Sequence, residues 1–294
     1  MKIPERRLDD GIAELPGDRA HAPSRGRPLR PLDRPEAGAA APVALRGTPS
    51  AAHPAGHLVS LVAPTGYEAE QYRILRHTIE QRRTADGVCV VAVTSPGGGE
   101  GKTSTAINLA GALAQAPGSR VMLVEADLRQ PTVLRQLGVP DRPANARGFA
   151  EAAQDAAVTL AEITLVLTDF NLAVVPAGAP VTAPYEVLRR PRVAELIAEA
   201  RRGHDFVILD TPPVVPCPDY RVLEPHVDGT LLVVAADRTT REMADAALQV
   251  LDPGKRLGLV LNGERRPPHR RGYYYSGAPR PRPRFRLPWL RRDR

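Results

Sequence analysis

The sequence predicts an α/β fold in which helices cover both faces of a mostly parallel sheet. Short runs rich in β-branched residues alternate with stretches of helical periodicity through the middle of the 294-residue chain. This alternation is typical of parallel strands joined by crossover helices. The two ends of the chain differ in composition, because they are rich in proline and arginine and show no sustained periodicity. The sequence therefore indicates one folded domain between two arms.

The predicted elements follow one another in a regular order. A helical pattern comes first, over Tyr67–Arg83, and precedes the first apolar run. Six runs are predicted to be strands: Val88–Thr94, Arg120–Ala126, Leu172–Ala177, Phe206–Asp210, Thr230–Ala236 and Leu257–Gly263. Further helices are predicted at Thr103–Ala114, Ala183–Arg202 and Arg241–Leu251. Strands with intervening helices form an open α/β sheet.

Both arms are predicted to be disordered. Residues 1–56 contain nine prolines and bury too little apolar surface to offset the entropy lost on ordering. Residues 265–294 alternate proline with arginine, a pattern that favours an extended backbone. The folded domain is therefore predicted at residues 57–264.

Charge is distributed unevenly along the chain. The whole sequence has 40 Lys and Arg against 33 Asp and Glu, a formal net charge of +7. The tail, residues 265–294, contains 11 Arg and one Asp, whereas residues 57–264 contain 20 basic and 25 acidic residues. Because the domain itself is mildly acidic, no nucleic-acid partner is expected. The basic tail is the part that could contact an anionic membrane.

Cysteine content and hydropathy predict a cytoplasmic protein. Only Cys89 and Cys217 are present, and neither belongs to a metal-binding pattern, which favours small core residues in a reducing cytosol. No apolar run approaches the roughly 20 residues of a membrane-spanning helix. The N-terminus also lacks the apolar stretch of a signal peptide.

The most specific segment is SPGGGEGKTS, Ser95–Ser104, which lies between a predicted strand and a predicted helix. Its glycines allow backbone N–H groups to converge on phosphate oxygens, and the helix N-terminus adds partial positive charge. The segment matches the pattern G-x-x-x-x-G-K-[ST] except at the first position, which is Pro96. A glycine-rich turn carrying an exposed lysine is the alternative. The flanking strand and helix favour the phosphate-binding loop of a P-loop NTPase.

In this interpretation the cofactors are ATP and Mg²⁺. Lys102 reaches the β- and γ-phosphates, and Thr103 binds Mg²⁺ through its hydroxyl. The predicted nucleotide-binding residues of the loop are Gly98, Gly99, Glu100, Gly101, Lys102, Thr103 and Ser104.

Two acidic segments follow predicted strands and would complete such a site. Glu125 and Asp127 are two residues apart in VMLVEADLRQP and share a face if the strand continues. Asp210 ends an apolar strand just before two prolines. The carboxyl ends of parallel strands open into the binding crevice, where Asp210 would hold Mg²⁺ directly or through water. Helix caps or turns are the alternative role for these acids.

Four segments resemble one family in their order and spacing. They are SPGGGEGKTS, LVEADLRQP, FVILDTPPVVPCPD and LGLVLNG. The set resembles the bacterial tyrosine kinases of capsule and exopolysaccharide synthesis, a branch of the MinD/ParA-like P-loop ATPases, and the similarity covers about residues 67–264. The resemblance implies an ATP-dependent, autophosphorylating tyrosine kinase that regulates polysaccharide synthesis and export.

The resemblance also implies residue roles. The catalytic set would be Lys102 of the Walker A loop, Glu125 and Asp127 of the Walker A′ motif, and Asp210 of the Walker B motif. Asp127 and Asp210 would organise Mg²⁺ together with Thr103. The first Walker A′ acid is thought to help deprotonate the tyrosine; it is normally Asp, and Glu125 is one methylene longer, which displaces its carboxylate.

Other residues match family positions outside this catalytic set. Asn262 matches an adenine-contacting position, and Arg129 matches the arginine of the pattern D-x-D-x-R. Glu70, Arg73 and Arg76 match the oligomerisation motif E-x-x-R-x-x-R, which implies head-to-tail rings of subunits. On a helix these three residues could equally form ion pairs on one exposed face.

Three tyrosines lie in the basic tail, where the family carries its autophosphorylation sites. They are Tyr273, Tyr274 and Tyr275. Their presence in an arginine-rich tail could also be incidental. The resemblance further implies that a separate membrane-anchored adaptor, a polysaccharide co-polymerase, recruits the protein to the inner face of the membrane.

Two other functions remain open from the sequence. One is a nucleotide-gated oligomeric scaffold with weak or no kinase activity, which Glu125 favours. The other is a ParA-like ATPase that moves cargo. The position where that branch has its signature lysine is Gly97 in this chain, and this argues against the ParA-like function.

Overall fold

The computed structural model describes residues 43–44, 52–87, 89–139 and 146–263. Its eight strands are β1 (Val43–Ala44), β2 (Val90–Thr94), β3 (Val121–Glu125), β4 (Leu165–Leu167), β5 (Leu172–Val175), β6 (Phe206–Asp210), β7 (Gly229–Ala235) and β8 (Arg256–Asn262). They form one sheet in the order β1-β4-β5-β3-β6-β2-β7-β8. Every neighbouring pair is parallel except β4 and β5. The prediction of a mostly parallel sheet is confirmed.

Helices connect the strands and cover the sheet. They are α1 (Val59–Val62), α2 (Tyr67–Asp86), α3 (Lys102–Ala114), α4 (Val133–Gln136), α5 (Phe149–Gln154), α6 (Leu160–Ile163), α7 (Pro184–Leu188), α8 (Pro191–Gly203), α9 (Asp219–Leu223) and α10 (Arg241–Val250). Short 3₁₀ turns occur at Thr168–Phe170, Glu224–His226 and Pro253–Lys255. Within the described ranges, no helix has the length and apolarity needed to cross a membrane.

Apolar cores lie on both faces of the sheet, because successive residues of a strand point to opposite sides. Val91 and Val93 of β2 pack with Ile107 of α3 on one face. Val90 of the same strand belongs to the core of the other face, together with Leu196 of α8. The strands β2, β3 and β6 are buried at every position. This double burial explains why their sequences are continuous apolar runs rather than alternating ones.

The prediction of a single helix over Ala183–Arg202 is wrong. The structure has two helices there, α7 and α8, and α8 begins at Pro191. Proline has no N–H to donate and disfavours helical backbone in the residue before it, so it starts a helix more readily than it continues one. The prediction also omitted β1 and β4, which have only two and three residues and so carry little periodicity.

Defined structure begins before residue 57, where the sequence placed the start of the domain. Val43–Ala44 pair with Leu165 and Val166 of β4. The backbone N–H of Ala55 donates to the carbonyl oxygen of Gln136 at 2.8 Å. Residues 1–42 and 45–51 of the predicted N-terminal arm lie outside the described residues, as does the tail from 265 onward with Tyr273, Tyr274 and Tyr275.

Candidate functional site

The glycine-rich segment forms a loop between β2 and α3. Gly99 and Gly101 have φ of +74° and +92°, values that side chains other than glycine rarely adopt. The first helical hydrogen bond of α3 joins the N–H of Thr105 to the oxygen of Gly101 at 2.9 Å. The N–H groups that precede it are left without a partner in the helix. Such a helix N-terminus is suited to bind an anion.

Lys102 lies at the start of α3 between two carboxylates. Its Nζ donates to Oδ2 of Asp127 at 2.6 Å and is 3.8 Å from Oδ1 of Asp210. Burial acts to lower the pKa of Lys102, but the charges of Asp210 and Asp127 outweigh it and raise this pKa above its usual value. The lysine is therefore a buried, permanent cation at the loop.

Asp210 is almost completely buried, with 1% of its surface exposed. It stands beside Glu125 in the register of β6 and β3, and its Oδ2 accepts a hydrogen bond from the hydroxyl of Thr103 at 2.7 Å. Burial raises the pKa of Asp210 to about 7, and Lys102 and Thr103 only partly oppose this rise. Its Oδ1 is buried and has no hydrogen-bond partner in the described part of the chain.

These donors fit a magnesium ion bound together with nucleotide phosphates. The orphaned Oδ1 of Asp210, the Thr103 hydroxyl and the Asp127 carboxylate are the hard oxygen ligands that Mg²⁺ prefers. In the described ranges, no group of three or more His, Cys, Asp or Glu residues could hold a metal by itself. Mg²⁺ is usually held by one or two carboxylates plus substrate phosphates, so this sparse donor set is consistent with it.

A cavity of about 600 Å³ opens next to the loop. Its volume falls within the usual range for small-molecule sites, about 300–1,000 Å³. Three segments line it: the loop and the start of α3 (Gly98, Gly99, Gly101, Lys102, Thr103 and Ser104), the chain after β3 (Asp127, Arg129, Gln130, Thr132 and Gln136), and the chain after β6 (Pro213, Pro216 and Cys217). The structure thus brings most of the predicted nucleotide-binding residues together around one space.

Glu125 does not line this cavity. Its Oε1 accepts hydrogen bonds from the backbone N–H groups of Thr132 and Val133 at 2.5 and 2.6 Å, and its Oε2 accepts one from Ala177 at 3.1 Å. Burial raises the pKa of Glu125, against the effect of these three bonds. The side chain, 2% exposed, therefore joins β3 to the start of α4 and to the segment after β5.

Glu100 and Asn262 also lie outside the cavity lining. The Glu100 side chain is buried and accepts a hydrogen bond from the N–H of Gly97 at 2.8 Å. Asn262, at the end of β8, donates from Nδ2 to the carbonyl oxygen of Glu100 at 3.0 Å. A Cβ on Gly101 would come within 1.9 Å of the same nitrogen. Both side chains therefore hold the loop itself, and the roles predicted for them in nucleotide binding stay predictions.

The three residues of the predicted oligomerisation motif lie on α2 and do not line the cavity. Glu70 and Arg73 form an ion pair within the helix. Arg76 pairs with Glu80 at 2.8 Å and also donates to the carbonyl oxygen of Ala112 in α3 at 3.1 Å. Of the three residues, only Glu70 and Arg73 pair with each other, whereas Arg76 pairs with Glu80 and also links α2 to α3.

Sequence reasoning missed Asp219, the partner of Arg129. Arg129 donates from Nε and one terminal nitrogen to the two oxygens of Asp219, at 2.7 and 2.8 Å. Asp219 is fully buried and begins α9, so the pair links the segment after β3 to the segment after β6. Arg129 in the D-x-D-x-R pattern was the only sequence signal for this pair. No local pattern indicates Asp219 as its partner, because the two residues are 90 positions apart.

Comparison with known proteins places this arrangement in a family. An AAA domain model matches residues 88–223. The tyrosine-protein kinase YwqD of Bacillus subtilis is 32% identical over 222 residues, which are 75% of this chain and 91% of that protein. The chain belongs to the bacterial tyrosine kinase family.

Two further proteins are similar to a comparable part of the chain. The succinoglycan biosynthesis transport protein ExoP of Rhizobium meliloti is 32% identical over 205 residues, covering 68% of this chain but only 25% of ExoP. The kinase domain of the Escherichia coli tyrosine kinase ETK superposes with a TM-score of 0.66 at 24% identity, over 74% of this chain and 83% of that domain. The second comparison shows that the fold is the one seen in this bacterial tyrosine kinase domain.

Proposed function

We propose that this bacterial tyrosine kinase family member transfers the γ-phosphate of ATP to tyrosine hydroxyls, including those of its own tail. The observation that carries the proposal is the convergence of Lys102, Asp127 and Asp210 beside the glycine-rich loop, with Lys102 within 4 Å of both carboxylates. This is the combination of cation, acids and free backbone N–H groups that phosphoryl transfer requires.

Each residue has a distinct task in this proposal. The N–H groups at the start of α3 and the Lys102 ammonium hold and orient the phosphates. The Thr103 hydroxyl, Asp127 and Asp210 would hold Mg²⁺, which neutralises charge developing on the transferred phosphoryl group. Asp127 lines the cavity, so it is better placed than Glu125 to face the acceptor tyrosine.

The proposed acceptors are Tyr273, Tyr274 and Tyr275. About nine residues separate them from the end of the domain, and a fully extended segment of that length spans roughly 30 Å. This reach favours delivery to a neighbouring subunit in a ring, assembled through Glu70 and the arginines of α2. Each phosphotyrosine would add about −1.5 to −2 charges next to the arginines of the tail.

We also propose capsular or exopolysaccharide synthesis and export as the process that this kinase regulates. The name of ExoP places that relative in succinoglycan biosynthesis and transport, and about three quarters of it lies outside the similarity. A separate membrane-anchored adaptor would recruit this chain to the inner face of the membrane.

The kinase proposal is tested by phosphotyrosine formation. Purified wild type, Lys102→Met and Lys255→Met are incubated with Mg-ATP, with and without a candidate adaptor, and blotted for phosphotyrosine. Lys255 is a matched control, because its Nζ donates to the carbonyl oxygen of Glu224 at 2.6 Å, at the end of the sheet opposite the loop. We expect signal from wild type and Lys255→Met, its loss in Lys102→Met, and its loss when Tyr273–Tyr275 are replaced by Phe.

A nucleotide-gated scaffold with weak or no kinase activity is the second candidate. The specific observation in its favour is that both Glu125 oxygens are engaged by backbone N–H groups, which removes one of the predicted catalytic acids from the cavity. Nucleotide binding without Lys102-dependent phosphotyrosine, under all the conditions above, would reject the kinase and favour the scaffold.

A further inference from the structure

The phosphate-binding loop is held from its far side by the segment that follows β7. The hydroxyl of Thr239 donates to Oε1 of Glu100 at 2.5 Å, and Oε2 of the same carboxylate accepts the N–H of Gly97 at 2.8 Å. The Thr239 oxygen is itself fixed, because it accepts the N–H of Ala235 at 2.9 Å. A continuous chain of hydrogen bonds thus runs from the end of β7 to the first glycine of the loop.

Two neighbouring side chains hold the next carbonyl groups of the loop. A terminal guanidinium nitrogen of Arg238 donates to the carbonyl oxygen of Gly99 at 2.8 Å. The Asn262 amide donates to the carbonyl oxygen of Glu100 at 3.0 Å. Arg238, Thr239 and Asn262 are called the β7–β8 clamp below. No member of this clamp lines the cavity next to the loop.

Peptide geometry explains what the clamp can do for an anion. In a trans peptide the C=O and the following N–H point in opposite directions. Fixing the oxygens of Gly99 and Glu100 toward the clamp therefore turns the N–H groups of Glu100 and Gly101 the other way. The loop then presents N–H dipoles, rather than carbonyl oxygens, on the side away from the clamp, as a phosphate requires.

The loop needs such support because of its composition. Gly97, Gly98, Gly99 and Gly101 are four of its five consecutive residues. Ordering a residue costs about 1–2 kcal/mol of conformational entropy, and glycine loses the most backbone freedom. A loop that is already ordered by the clamp spares that cost when ligand binds.

We propose that Thr239 and Arg238 are positioning residues for nucleotide binding, acting through Glu100 and Gly99 rather than by touching the nucleotide. The inference rests on the proposed function, since it assumes that the loop binds nucleotide phosphates. It adds to that function a task for the segment between β7 and α10, which no sequence motif indicated.

The test compares Thr239→Val with Thr239→Ser and with Thr168→Val in the full-length protein. Thr168 is an exposed threonine at the opposite edge of the sheet, and serine keeps the hydroxyl that Glu100 accepts. Hydrogen exchange of peptides covering residues 95–102 is measured without nucleotide, and the affinity for ADP with Mg²⁺ is measured by calorimetry. Thermal unfolding of each variant is recorded in parallel.

We expect Thr239→Val to speed exchange within 95–102 and to weaken ADP binding about tenfold, as for loss of a hydrogen bond to a charged group. Thr239→Ser should keep the wild-type exchange rate within 95–102 and the wild-type affinity for ADP. Thr168→Val should change neither quantity. Arg238→Gln, at an exposed position, should weaken ADP binding in the same direction without lowering the unfolding temperature.

Failure of the clamp and failure of the proposed function give different results. Unchanged exchange and unchanged ADP affinity in Thr239→Val, with wild type binding ADP, overturn the clamp and leave the function standing. Equal weakening in Thr239→Ser and Thr239→Val also overturns it, because the hydroxyl would then be irrelevant. Wild type that binds no nucleotide overturns the proposed function, whatever the exchange experiment shows.

Discussion

At the scale of single residues, Asp210 combines a proposed catalytic role with an unfavourable environment. Asp210 is 1% exposed, and one of its carboxylate oxygens has no hydrogen-bond partner in the described residues. Without a bound cation, ionising this group opposes folding. Functional sites commonly retain such groups, and their substitution often raises stability while lowering activity.

The predicted effect of Asp210→Asn depends on pH. Burial raises the pKa of Asp210 from 3.8 in the unfolded chain to about 7 in the folded one. Below pH 4 the carboxyl is protonated in both states; between pH 4 and about 7 it ionises only in the unfolded state, so the folded protein loses stability as pH rises through this window. We expect nucleotide-free Asp210→Asn to be more stable than wild type at pH 8 and equally stable near pH 4.

Urea unfolding at several pH values measures this difference. Asp169→Asn is the control, because Asp169 is exposed in the 3₁₀ turn before β5. A constant stability difference between Asp210→Asn and wild type from pH 4 to pH 8 would contradict the assigned pKa. Phosphotyrosine formation by Asp210→Asn should fall at the same time, if Asp210 helps to hold Mg²⁺.

The residues that converge on Lys102 and Thr103 at the glycine-rich loop could be predicted because their patterns are local. Lys102 and Thr103 follow a glycine-rich loop, and Asp127 and Asp210 follow buried strands whose ends meet at one edge of the sheet. The direction in which Glu125 and Glu100 point could not be predicted in this way. Their partners, Ala177 and Thr239, are far away in sequence.

At the scale of elements, Glu125 connects three of them. The bonds to Thr132, Val133 and Ala177 join β3 to α4 and to the chain after β5. We expect Glu125→Ala to reduce the free energy of unfolding by about 3 kcal/mol, since it leaves buried N–H groups without an acceptor. Glu125→Asp, one methylene shorter, should lie between Glu125→Ala and wild type.

Chemical denaturation measures these stabilities, with Glu186→Ala as control because its side chain is 65% exposed. The experiment also separates the structural role of Glu125 from the predicted catalytic one. Wild-type stability in Glu125→Ala, together with loss of phosphotyrosine, would show that Glu125 is a catalytic acid and not a connecting residue.

Secondary structure was predictable wherever an element is long and apolar. The six predicted strands are all present, with ends displaced by no more than two residues. The short strands β1 and β4 were missed, since pairing in a sheet rather than local pattern stabilises a strand of two or three residues. The break at Pro191 had a local signal, which the continuous helical periodicity on either side obscured.

At the scale of the whole molecule, charge separates the domain from the tail. The tail carries 11 of the 40 basic residues, whereas residues 57–264 are mildly acidic. Deleting residues 265–294 should therefore reduce co-sedimentation with vesicles that contain anionic phospholipid, since each basic residue near such a surface contributes about 1 kcal/mol. Replacing Tyr273, Tyr274 and Tyr275 by Glu should also reduce this co-sedimentation, because the added negative charges offset part of the positive charge of the tail.

Vesicles of neutral phospholipid are the control for this measurement, and salt is held at physiological strength so that distant charges are screened. Equal binding of the full-length and truncated proteins to anionic vesicles would exclude the membrane as partner of the tail. Binding of the full-length protein, but not of the truncated one, to an acidic segment of the adaptor would then account for the positive charge of the tail.

The sequence by itself determined the class of fold, the phosphate-binding loop and the acids at the strand ends. Those features depend on short-range patterns: burial on both faces of a strand, glycine where φ is positive, and charge where a strand stops. Only the tertiary structure decided which side chains face the cavity and which hold the loop from behind. Glu100 meets Thr239 and Asn262 across 139 and 162 residues of chain, and contacts at such distances arise from packing of the whole sheet.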